Sequence, residues 1–76
     1  MLKQAEKAYV KALTAVRRKD YQEAAEQFEK ASGFFRNDQE FRLLSETNRL
    51  LLVVKGELAR LEKDSELQIE EVFTDG

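Results

Sequence analysis

The stretch AEKAYVKALTAVRRKDYQEAAEQFEKA, Ala5 to Ala31, decides the fold. Small residues (Ala8, Ala12, Ala15, then Ala24 and Ala31) recur at helical spacing, interleaved with the single aromatics Tyr9, Tyr21 and Phe28. Arg18-Lys19-Asp20 stands between the two halves as one turn. Alanine lets two helix axes approach closely, and a lone ring fills the space opposite. The pattern predicts a tightly packed helical hairpin.

Its first helix is expected from about Leu2 to Arg18, with Leu2, Ala5, Tyr9, Ala12, Leu13 and Val16 on one face. The second begins at Asp20, whose carboxylate can accept from first-turn amides, with Glu23 three residues on as in a capping box. Ala24, Phe28, Ala31 and Phe35 continue the buried stripe. Gly33 weakens the helix, and Phe34 to Asp38 reads as a connection. A third helix is expected from Asn37 or Asp38 to about Lys63, carried by Phe41, Leu44, Leu51, Val54, Leu58 and Leu61. At about 25 residues it spans roughly 37 Å and overhangs the hairpin. The fold class is therefore all-α: a helical hairpin plus a long third helix. Residues 1–63 form the domain, and residues 64–76 form an acidic tail expected to be mobile. Its Ile69, Val72 and Phe73 are a candidate docking motif for a basic groove.

Composition narrows the function. A chain of 76 residues makes one domain at most and buries only ~60% of its unfolded surface. It contains no Cys and no His, so the thiolate ligand, the imidazole ligand and the commonest general base are all missing. No Gly-rich phosphate loop, nucleophile motif or calcium loop is present, and Ser32, Ser45 and Ser65 have no histidine to act as base. Carboxylate pairs such as Glu23 and Glu26 or Glu70 and Glu71 read as solvated helix faces. No catalytic residue, metal ligand or cofactor site is expected. The net charge of −2, with Arg17-Arg18-Lys19 as the basic cluster, disfavours nucleic acid as the main partner. The longest apolar run, Leu50 to Val54, is too short to span a membrane. Met1 to Glu6 lacks the apolar centre of a signal peptide, which makes a cytoplasmic protein the default expectation.

Ala12, Asp20-Tyr21, Ala24, Phe28 and Ala31 together resemble a tetratricopeptide repeat over residues 5–36. The sequence departs from the repeat pattern at Ala8, Lys11, Ala15 and Arg36, and has Lys19 where a turn glycine is usual. The layout of a hairpin followed by a longer third helix is also similar to the microtubule-interacting-and-transport domain, a three-helix bundle of this size. Both resemblances imply peptide or helix binding without catalysis.

Leu50 to Val54 covers a full helix circumference. One face serves the hairpin, leaving Leu43, Leu50 and Val53 as a second stripe that a small bundle cannot cover. These three, with Arg49 and Glu57 at the rim and Phe34 near the corner of the second and third helices, are the expected partner-binding residues. The expected function is an adaptor or assembly subunit. It would bind a protein helix or peptide through the third helix and the hairpin groove, with a homodimer through the third helix as one form. Alternatives are a terminal piece of a longer repeat array and a chaperone-type subunit that shields an aggregation-prone helix.

Overall fold

The computed structural model describes the backbone of residues 3–74 and the side chains of residues 3–64. It contains three helices in chain order: α1 (Gln4–Arg17), α2 (Tyr21–Asn37) and α3 (Phe41–Thr74). The chain is all-α, a helical hairpin extended by a long third helix. Leu2 lies outside the described residues.

The two connections are built alike. At the end of α1 the Lys19 amide donates to the Val16 carbonyl and the Asp20 amide to the Ala15 carbonyl, both at 2.9 Å. At the end of α2 the Gln39 amide donates to Arg36 and the Glu40 amide to Phe35, at 3.1 and 2.9 Å. Each is a Schellman turn, which satisfies orphan carbonyls by placing one residue in the left-handed region. Here that residue is Lys19 (φ 60°) or Gln39 (φ 58°), where glycine would fit without a steric penalty. Asp20 then caps α2, its carboxylate accepting from the Glu23 amide at 3.2 Å.

The second connection differs from the sequence expectation. Phe34 and Phe35 are helical, the turn is Asp38 to Glu40, and α3 begins at Phe41 and not at Asn37 or Asp38. Gly33 is an exposed position inside α2 and does not end it. Interior packing of Ala31 and Phe35 outweighs the cost of one glycine, about 1 kcal/mol. The far end of α3 differs too: the helix has 34 residues and ends at Thr74, not near Lys63. The expected mobility of segment 64–76, and the places of Ile69, Val72 and Phe73, lie outside the residues whose side chains are described.

Helix α2 is the shared element. It packs against both α1 and α3, while α1 and α3 meet only marginally. On α1 the buried line is Ala5, Ala8, Ala12 and Ala15, at steps of three and four. Opposite it, α2 buries Ala24, Ala25, Phe28, Ala31 and Phe35. Tyr9 packs edge-on to both rings, with centroids 5.8 Å from Phe28 and 6.4 Å from Phe35. The alanines allow the close approach, and Phe28, only 1% exposed, supplies the volume.

Helix α3 meets α2 through Val54, which is buried, and through Leu44, Leu50, Leu51 and Leu58, which are partly buried. Two polar side chains in this seam carry no apolar signal in the sequence. Thr47 is wholly buried, its hydroxyl donating to the Leu43 carbonyl at 2.6 Å. Ser32 on α2 donates to the Asn48 amide oxygen on α3 at 2.6 Å. Leu61, expected on the packed face, is 44% exposed, because that face has run past the end of the hairpin.

Two substitutions test this packing. Ala24 is fully buried between α1 and α2. Ala24→Leu should lower stability by ~1–3 kcal/mol through overpacking, read from denaturant unfolding; an unchanged midpoint would refute the close approach. Lys19→Gly and Gln39→Gly should each raise stability by ~0.5–1 kcal/mol, since relief of left-handed strain exceeds glycine's entropic cost.

Candidate functional site

Because α1 and α3 both lean on α2 without closing on each other, a groove is left between them. Its volume is about 410 Å³, and it is lined by Glu6, Tyr9 and Val10 of α1, Phe35 of α2, and Leu43 and Glu46 of α3. The floor is apolar, and the two glutamates stand on opposite walls. Val10, at the middle of α1, is 50% exposed, and Leu43, in the first turn of α3, is 40% exposed. Leu13, one turn after Tyr9, is also exposed. By the helical period it lies on the same flank of α1 as Tyr9, as does Val16. Along α3 the same period places Leu43 and Leu50 on the flank turned toward α1.

The six sequence-predicted residues do not form one surface. Leu43 lines the groove. Leu50 is half-buried and packs against the main core cluster, so most of its surface is already used. Val53, 65% exposed, stands further round the helix, beside the equally open Leu52. Phe34 is half-buried on the opposite side of the molecule, against the cluster of Ala5, Ala8, Ala31 and Phe35. Arg49 reaches Glu46 at 3.8 Å. Glu57 accepts from Arg60, whose Nε lies 3.0 Å from the carboxylate oxygen and whose Nη2 is also in contact. Arg60 also approaches Asp64 at 3.5 Å. The Arg60 hydrogen bond holds the Glu57 carboxyl below the usual carboxylate range, and the same bond raises the guanidinium.

The six sequence-predicted residues include none from α1, although the hairpin groove was part of the expected surface. Val10 was the available signal: an aliphatic residue off the alanine line, between Lys7 and Lys11. Its period becomes meaningful once α3 is known to leave that flank of α1 uncovered.

Among the described residues no three acidic side chains converge as a metal site, and no helix is long and apolar enough to cross a membrane. No family model, curated protein or solved structure matches the chain.

The Glu57–Arg60 pair can be tested directly. Arg60→Gln should move the Glu57 carboxyl pKa upward toward its ordinary value, measured by carboxyl carbon NMR titration. A Glu57 pKa that stays low would mean that another cation holds it.

Proposed function

We propose that this chain is a non-catalytic protein-interaction module. Its α1–α3 groove receives an amphipathic helix or extended peptide from a partner protein. The observation that carries the reading is the groove itself. Val10 and Leu43 remain exposed around a floor of Tyr9 and Phe35, in a molecule whose alanines otherwise pack with little waste. Apolar surface gathered in a concavity with a charged rim is the usual form of a peptide-binding site. Glu6 and Glu46 on the two walls favour a segment with a lysine or arginine beside its apolar face.

The hairpin with a third helix packed on its second supports a tetratricopeptide-like or microtubule-interacting-and-transport-like unit, acting as an adaptor or assembly subunit in the cytoplasm. Self-association through α3 is the second form of the same reading. The open Leu52 and Val53 favour it, since they lie outside the groove. Leu50 is better assigned to the core than to that interface.

A displayed peptide library selected on the full chain tests the reading. Selected peptides should be amphipathic, and their affinity should fall at least ~tenfold on Val10→Asp or Leu43→Asp, about 1.4 kcal/mol. Helicity should hold, because both positions are exposed. Selected peptides that bind both variants as tightly as the wild type would place the site elsewhere.

A further inference from the structure

The flank of α1 opposite the groove has a different chemistry. Lys3, Lys7 and Lys11 follow one another at four-residue steps and form a single exposed stripe. Residues 1–19 contain six basic side chains and one acidic, a local charge of +5. Between this stripe and α2 lies a cleft of about 270 Å³, walled by Lys7, Lys11 and Lys30, with Gln4, Gln27 and the half-buried Phe34 beneath. Among the described residues no carboxylate lines it. Among the described residues the ion pairs are those of Arg49, Lys55 and Arg60, so none of the cleft lysines is paired. Acidic residues stand at both ends of the cleft: Glu23 accepts from Gln27 Nε2 at 2.8 Å and lines the next depression, beside Arg18, while Asp38 and Glu40 line the one that shares Gln4 and Phe34 with the cleft.

The chain carries the complement of this cleft at its other end. Residues 64–76 contain five acidic side chains (Asp64, Glu66, Glu70, Glu71 and Asp75) and no basic one, interspersed with Leu67, Ile69, Val72 and Phe73. Helix α3, with 34 residues, runs about 51 Å, against about 25 Å for the 17 residues of α2. The acidic end of α3 therefore projects beyond the hairpin, away from the end where Phe34 and the cleft lie.

We propose that the lysine cleft of one molecule binds the acidic C-terminal segment of a second copy. The glutamates pair with Lys7, Lys11 and Lys30, and an apolar side chain such as Phe73 meets Phe34. Such a contact joins two different surfaces, so each copy offers one cleft and one acidic segment, and association either closes reciprocally or repeats head to tail. It uses neither Val10 nor Leu43, so it stands or falls separately from the groove.

Sedimentation equilibrium of the full chain over a range of concentrations is the test. At about 0.02 M salt the average mass should climb to that of a dimer or beyond as concentration rises, and at about 0.5 M salt it should return to the monomer. The triple variant Lys7→Glu, Lys11→Glu, Lys30→Glu should stay monomeric at low salt with unchanged helicity. Mixing it with the variant Glu66→Lys, Glu70→Lys, Glu71→Lys should restore association, because that pair has the charges exchanged. Val10→Asp should associate as the wild type does. A wild type that is monomeric at high-micromolar concentration and low salt would overturn the proposal. So would a triple variant that associates undiminished, or a mixture in which the exchanged charges restore nothing.

Discussion

Tyr9 meets Phe28 and Phe35 edge-on across a seam otherwise made of alanine, and the rest of the molecule is arranged around that contact. The alanines bring the backbones together, but they bury little surface each. The rings supply the apolar area that a domain this small needs to remain folded. This also fixes which flank of α2 remains for α3. Val54, Leu51 and Leu58 then pack beside Phe28, while the Ser32–Asn48 hydrogen bond sets the register of the second seam.

Because α2 is the common support, the three helices make an open array and not a closed triangle. A closed bundle would bury the facing flanks of α1 and α3 against each other, and Val10, Leu13 and Leu43 would then be core. In the open array Val10 and Leu43 line a concavity, and Leu13 stands exposed further along α1. The groove therefore follows from the packing order, and its apolar lining follows from residues that a closed bundle would have hidden.

Much of the fold could be read from the residues. Ala5, Ala12, Ala24, Phe28 and Ala31 announced the hairpin by period alone, and Asp20 with Glu23 marked the start of α2, because capping and helical spacing are local properties. The second turn was misplaced because Gly33 and Asn37 are strong local signals, yet the burial of Phe35 keeps the helix intact past them. The polar seam was invisible, since Thr47 and Ser32 look like surface residues until their partners are in place. A surplus of apolar residues on α3 was evident, but Leu50 goes to the core, and the groove's other wall comes from α1. Which helices touch is a tertiary fact, and no periodicity within one helix contains it.

The open arrangement of α1 and α3 on α2 is the central claim, and methyl and aromatic NOEs in the free chain measure it most directly. The expected pattern has contacts from the Phe35 ring to Leu44 of α3 and to Tyr9 of α1. The Val10 and Leu13 methyls should show none to the methyls of Leu43 or Val53. Strong cross-peaks between those two sets would mean that α1 and α3 close on each other. The groove would then not exist in solution.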